Sequence, residues 1–319
     1  MLNQKKQFDV TCLGIFVADT LGKPVERMPD WRQLQVVEHV ELATGGCANN
    51  TGTTLARLGM RVGVIGKVGN DVFGDFILSS LKKDNVDTKG MMRSSDLGTS
   101  FSFVIVAPDG ERAFFHYVGA NGSLSIDDVD FSIIEQSHIL HVAGSFVMPG
   151  LDGEPTAKIL KKAKEMGVTT CLDTVWNDAI DCYATLEPSL PYLDYFLPSI
   201  DEAMLMTGQK GVSDTARFFM DKGVKTVGLK MGAEGCFLKN KDIEIHCPAF
   251  KTNVVDTCGA GDSWIGGFLA GVAKGWNLEE CGRLGNATGS ICASAMGATT
   301  GVKSWDETIK YMEKAEILV

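Results

Sequence analysis

Residues 256–263 read DTCGAGDS, and their types and spacing admit a specific chemistry. Gly259, Ala260 and Gly261 stand immediately before Asp262. The segment that follows, WIGGFLAGVAKGW, places Trp264, Phe268 and Val272 four apart with Ile265 and Leu269 beside them, the stripe of a helix packed on a core. Asp262 therefore falls at or near a helix N-terminus. The first peptide N–H groups of a helix have no internal partners, and small residues let a ligand approach them, so this turn suits an anion. A carboxylate in the same turn would repel a phosphate. It makes sense where it accepts the proton of a hydroxyl attacking a phosphoryl group whose oxygens the N–H groups hold. The same residues would also serve as an Asp cap on a helix that follows a glycine turn.

The elements that must position this turn follow an α/β rhythm. Short apolar runs at 8–17, 62–69, 138–146, 169–175, 195–199, 226–232 and 236–240 read as strands, and 49–59, 75–85, 155–167 and 215–223 read as helices between them. Gly59, Gly167 and Gly223 close three of those helices, as residues that accept positive φ. The alternation predicts a mostly parallel sheet covered by helices. Two stretches depart from it, 24–42 and 99–119. The second reads as a hairpin turning at APDGER, and together they predict a small accessory sheet, a lid spanning about 20–44 and 97–120. No linker or internal repeat divides the chain, so 1–319 is expected to form a single domain.

Composition narrows the class. A formal charge of −10 argues against a nucleic-acid or anionic-membrane partner, which would need clustered Lys and Arg, and favours a small molecule. With 45% hydrophobic residues the chain can build an extensive core. The N-terminus shows no secretory pattern, so the expected location is cytoplasmic. Nine cysteines form no C-x-x-C pair and read as reduced, mostly buried thiols. The five histidines lack metal-ligand spacing, and His138 and His141 read as core residues. Residues 284–302 are uncharged but rich in Gly, Ala, Ser and Thr with few bulky apolar residues, so they are expected to form a packed internal helix rather than a membrane span. Neither a P-loop nor a G-x-G-x-x-G after the first strand occurs.

VDTCGAGDSWIGGFLAG resembles the C-terminal signature of the ribokinase-like, or PfkB-type, carbohydrate kinases, and GGCANNTGTTLARLG resembles their N-terminal one. FLPSIDEAMLMTG and GLKMGAEGCFL look like further segments of that family. The resemblance implies a three-layer α/β sandwich with a β-sheet lid. It also implies transfer of the γ-phosphoryl of ATP to a hydroxyl of a small sugar with Mg2+, and in some members a monovalent cation such as K+. Carried over by motif, Asp262 would be the general base, with Gly259, Ala260 and Gly261 as the anion hole. Asp19, Gly45, Gly46 and Asn50 would line the sugar site, and Lys230, Gly232, Gly235 and Asn286 the nucleotide site. Glu202 matches the glutamate of the family's Asn-x-x-Glu magnesium motif, with Ser199 in place of the Asn, and Asp256 would help hold the monovalent cation or only brace its loop. DTVWND, which runs on from strand residue Asp173, carries no arginine where members acting on sugar acids carry one, which leans toward a neutral sugar. The alternatives are a nucleoside kinase that stacks a base on Phe103, Phe115 or Tyr117, and a non-catalytic sugar-binding or regulatory protein, motivated by Ser199. Exposed lid strands would favour a homodimer.

Overall fold

A computed structural model describes residues 6–108 and 112–318. Its strands are β1 (Phe8–Gly14), β2 (Val17–Lys23), β3 (His39–Gly45), β4 (Val62–Gly69), β5 (Asp87–Ser94), β6 (Phe101–Val106), β7 (Arg112–Tyr117), β8 (Ser137–Ser145), β9 (Thr169–Thr174), β10 (Tyr195–Phe196), β11 (Thr226–Lys230), β12 (Cys236–Asn240) and β13 (Glu244–Cys247). The helices are α1 (Cys47–Arg57), α2 (Val72–Lys83), α3 (Phe131–Glu135), α4 (Glu154–Glu165), α5 (Cys182–Leu186), α6 (Ile200–Thr207), α7 (Val212–Asp221), α8 (Ala260–Ala273), α9 (Leu278–Ala293) and α10 (Trp305–Lys314).

Nine strands form one sheet in the order β13-β12-β11-β10-β9-β8-β1-β4-β5. It is parallel from β11 to β5, and β12 and β13 add antiparallel at one edge. Alternate strand residues feed two cores, because successive side chains leave opposite faces of a strand. Val10, Cys12, Cys171 and Leu238 pack with Leu55, Ile77, Phe268 and Leu284 from α1, α2, α8 and α9. Leu13, Leu140, Leu172 and Val227 pack with Ile133, Ile159, Leu186 and Phe219 from α3, α4, α5 and α7. The ribokinase-like three-layer architecture is therefore present. The parity also decides which side Asp173 and His141 take: each neighbours a residue of the α3–α7 core, so each emerges toward α1 and α8.

The lid is a four-stranded mixed sheet, β3-β2-β6-β7, in which β2 and β6 run parallel and the outer pairs antiparallel. Only part of the expected lid segment is strand. Residues 24–38 cross as irregular chain, held where Val25 N–H donates to Val106 and Glu38 N–H to Lys23. In the APDGER turn, residues 109–111 lie outside the described residues, as do residues 1–5 of the N-terminal segment.

Other departures have local causes. The strand expected over 8–17 is two strands in two sheets, because the chain leaves the main sheet at Gly14, where a side chain would collide with the Ala143 carbonyl. At 195–199 only Tyr195 and Phe196 are strand, since the chain turns into α6 at Ser199. β5 and β13 were not anticipated. Both are edge strands with polar, mostly uncovered residues, so neither shows an apolar run. The helix expected over 284–302 begins earlier, at Leu278 behind an Asn277–Glu280 capping box, and ends at Ala293. Gly59, Gly167 and Gly223 all adopt positive φ, as expected of helix-closing residues. Among the described residues no helix is long and apolar enough to cross a membrane.

Close approach of α8 to α9 rests on their glycines. A Cβ at Gly267 would collide with Thr288 Oγ1 and lie 2.7 Å from the Leu284 carbonyl oxygen. Helix propensity favours Ala over Gly by about 1 kcal/mol in a helix interior, while overpacking against a fixed backbone costs about 1–3 kcal/mol. The steric term is the larger, so Gly267→Ala should lose about 1–2 kcal/mol of stability in urea unfolding. A variant more stable than the parent would show that the two helices are free to separate.

Candidate active site

Gly259 opens the turn at φ 72, a left-handed conformation that a Cβ would strain and in which it would also collide with the Ala298 carbonyl. α8 starts at Ala260, and Asp262 lies in its first turn, partly buried. Asn50 Nδ2 donates to Asp262 Oδ2 at 2.8 Å, and Thr51 Oγ1 donates to the Asp262 carbonyl at 3.1 Å. Thr54 and Ser263 hydroxyls meet at 3.2 Å one turn further on. Three polar contacts thus tie α1 to the beginning of α8, and they aim the carboxylate.

α1 itself is preceded by its N-cap Gly46, where φ is 94 and a Cβ would lie 2.5 Å from the Ile15 carbonyl oxygen. A Cβ at Gly45 would strike the Asp19 carboxylate, which therefore lies directly against that glycine. The structure accordingly brings Asp19, Gly45, Gly46 and Asn50 to one end of α1 with Asp262.

Two residues at this point escaped the sequence reading, Asp173 and Cys47; His141, read there as a core residue, is buried beside them, whereas His138, read the same way, is exposed because its side chain leaves the strand on the other side. The Cys47 thiol and the carboxylates of Asp173 and Asp262 offer atoms that all lie within 4.8 Å of one another. Asp173 is 1% exposed, and its Oδ1 accepts from Gly144 N–H at 2.8 Å. His141 is wholly buried, with Nε2 3.8 Å from Asp173 Oδ1 and neither ring nitrogen hydrogen-bonded. The available signal was parity, an acid standing within a buried strand at a position that faces α1 and α8. Parity becomes informative only once the helices on each side are known.

Lys230 lies beside these acids, at the end of β11, with Nζ 3.7 Å from where a Cβ of Gly261 would stand. Burial raises the Asp262 carboxyl above its usual range and the nearby Asp173 charge raises it further, against the Asn50 hydrogen bond and the Lys230 ammonium. Burial pushes Asp173 up to about 6, opposed first by Lys230 and then by the Gly144 N–H. Burial pushes His141 down to about 3, which leaves the ring neutral.

Glu202 is held by a capping box at the start of α6. Ser199 Oγ accepts from Glu202 N–H at 3.3 Å, and Ser199 N–H donates back to Glu202 Oε2 at 3.1 Å. Thr174 Oγ1 also donates to Oε2, at 2.9 Å, and Trp176 N–H donates to Oε1 at 3.2 Å. Ser199 thus occupies an N-cap position where Ser and Asn are equally suited. With protein donors on both oxygens, this carboxylate fits a magnesium ion through water better than by direct ligation.

The remaining candidates lie on α9, in the turn between β11 and β12 and in the loop before α8. Asn286 is buried, its Oδ1 accepting from Trp264 Nε1 at 2.8 Å and its Nδ2 donating to the carbonyls of Cys247 and Pro248 at 2.9 and 3.0 Å. Its side chain holds the 247–248 loop in place, and that loop packs on Gly235, where a Cβ would strike the Cys247 carbonyl. Gly232 has open space where its Cβ would be. Asp256 Oδ1 accepts from Cys258 N–H and Oδ2 from Gly297 N–H, each at 2.8 Å, which braces the loop before α8 against the loop after α9.

Comparison with known proteins agrees with this arrangement. Residues 7–305 match the pfkB family carbohydrate kinase family. A 2-dehydro-3-deoxygluconokinase of Bacillus subtilis is 29% identical over 279 residues, 84% of this chain and 86% of that protein. The crystal structure of a ribokinase from Thermotoga maritima superposes with a TM-score of 0.84 at 26% identity, covering 96% of this chain and all of the other. An Arabidopsis thaliana ribokinase complexed with ribose and ATP shares the fold, with a TM-score of 0.84 at 23% identity over 96% of this chain and 99% of its own. With the two signatures, the sheet order, the lid and a match across 7–305 in agreement, the chain belongs to the pfkB family of carbohydrate kinases.

Proposed function

We propose that Asp262 is the general base of a reaction that transfers the γ-phosphoryl group of ATP to a hydroxyl of a small neutral sugar. The observation that carries this reading is the Asp262 carboxylate in the first turn of α8, aimed by Asn50 and flanked by Lys230. The substrate hydroxyl gives its proton to Asp262 as its oxygen bonds to phosphorus. The bond from phosphorus to the β,γ-bridging oxygen breaks, and ADP leaves with the electron pair. Backbone N–H groups of Gly259, Ala260 and Gly261, at the positive end of α8, hold the phosphoryl oxygens, and Lys230 offsets their charge. Glu202 would hold magnesium through water, and the ion when bound neutralises phosphate charge. Gly232 and Gly235 shape the loop next to the nucleotide, with Asn286 supporting it from behind. Both Asp256 oxygens serve backbone N–H groups, so this carboxylate acts as a loop brace.

The sugar lies between Asp19, Gly45, Gly46 and Asn50, under the lid. Lid register bears on the acceptor. Ala43, Asp19, Ser102 and His116 form one cross-strand row, whereas Leu42, Thr20, Phe103 and Phe115 form the adjacent row on the opposite face. Tyr117 shares the face of Phe103. The three aromatics that would stack a nucleobase therefore point away from Asp19, which favours a sugar over a nucleoside. The same row supports a homodimer through the lid, since Phe103 is 49% and Phe115 62% exposed and Leu42 and Val40 extend the apolar surface.

ADP release from ATP and magnesium, measured across neutral hexoses, pentoses, sugar acids and nucleosides, tests the reading. One neutral sugar should stand out, and Asp262→Asn should keep ATP binding while losing about a thousandfold in kcat. Near-normal turnover by that variant would remove Asp262 from the chemistry. Ser199→Asn should leave activity and magnesium dependence near those of the parent, whereas Ser199→Ala should lose about 1 kcal/mol of stability and need more magnesium for half-maximal rate. Equal magnesium curves for all three would separate Glu202 from the metal. In sedimentation, the parent chain should run as a dimer and Phe115→Asp as a monomer; a monomeric parent at micromolar concentration would refute the lid interface.

A further inference from the structure

Asp173 is a buried acid with no closed ion pair, and its place beside Asp262 calls for an explanation. Burying a carboxylate costs several kcal/mol unless hydrogen bonds or a cation compensate. Here Gly144 N–H compensates in part, and it can do so because Gly144 adopts φ 85, where a Cβ would press within 2.9 Å of Ile15 and 3.4 Å of Cys47 Sγ. The backbone is thus shaped to hold the Asp173 carboxylate against Cys47 and Asp262. His141 is near enough to pair with it but is neutral and makes no hydrogen bond to it.

We infer that Asp173 is a second carboxylate of the proton-transfer machinery, a positioning residue that acts through Asp262 by holding a negative charge beside it; the inference rests on Asp262 being the base. Two carboxylates this close resist joint ionisation, so a proton arriving on Asp262 relieves repulsion that the free pair carries. Asp262 then binds the proton leaving the substrate hydroxyl more strongly than an isolated aspartate would. Asp173 keeps its charge through the step, and the bonds made and broken are those of the transfer itself. The groups facing the pair are Cys47 from α1, Cys12 from β1, His141 from β8, Cys171 from β9, Lys230 from β11, Glu202 from α6 and Cys292 from α9. Burial keeps these thiols protonated and His141 neutral, so none of them changes charge as the two aspartates titrate.

The experiment is the pH dependence of kcat/KM for the parent chain, Asp173→Asn and Asp173→Glu, with magnesium, ATP and the sugar that the panel identifies. Asn retains an acceptor for Gly144 N–H but removes the charge. Asp262 is inactive when protonated, so removing the neighbouring charge should move the acidic limb at least one pH unit lower and reduce the plateau about tenfold, with KM for ATP within twofold. Asp173→Glu should return the limb toward the parent position. An unmoved limb, with or without a loss of rate, overturns the inference while leaving Asp262 as base. If instead Asp262→Asn turns over normally, the underlying reading fails, and the two failures are therefore distinguishable. Should Asp173→Asn not fold, carboxyl 13C titration of the parent and of Asp262→Asn decides: the inference requires Asp173 to titrate at lower pH once Asp262 is neutralised, and identical curves refute it.

Discussion

Everything at the site depends on the hydrogen bond from Asn50 to Asp262 and on the helix pair that makes it possible. α1 and α8 belong to distant parts of the chain, yet Asn50, Thr51 and Thr54 on one meet Asp262 and Ser263 on the other. A surface aspartate at a helix start is a cap. The same aspartate, partly buried and fixed by a donor from a second helix, has one orientation and a raised affinity for protons.

That contact needs helices that approach unusually closely. Gly266 faces the Thr51 carbonyl and the Thr54 side chain, Gly267 faces α9, and Gly285 faces the Trp264 ring, so a row of absent side chains lets three helices share one interface. The Asn286 amide then pins the Trp264 indole and the 247–248 loop together. The small residues around α8 therefore serve two ends: in the first turn, on the proposed reading, they admit a ligand to the backbone, and further along they admit neighbouring helices.

The lid shows how one sheet can meet two demands. Successive side chains of a strand leave opposite faces, so the row with Asp19 and Ser102 and the row with Phe103 and Phe115 are separated by the sheet itself. Leu21, Val104 and Val106 pack as a small cluster that keeps the sheet together away from the main core.

The helix stripe of Trp264, Phe268 and Leu269, the glycine turn before Asp262, the helix-closing glycines and most central strands were legible in the sequence, because each is a local pattern of spacing or a backbone conformation that one residue type favours. Ser199 looked like a departure from a motif and proved to be an N-cap, a role also readable locally once the helix start at Ile200 was known. β5 and β13 were not legible, since edge strands need no apolar run and take their hydrogen bonds from a neighbour far along the chain. Nor was the cluster of Asp173, Cys47 and Asp262, whose members come from a strand and two helices. By itself the sequence determined the kind of chemistry, through residues adjacent in the chain. Which acids stand together, which face of the lid sees the site and where the Lys230 ammonium lies were decided only by the tertiary structure, because burial and charge proximity are properties of contacts between segments that the chain keeps apart.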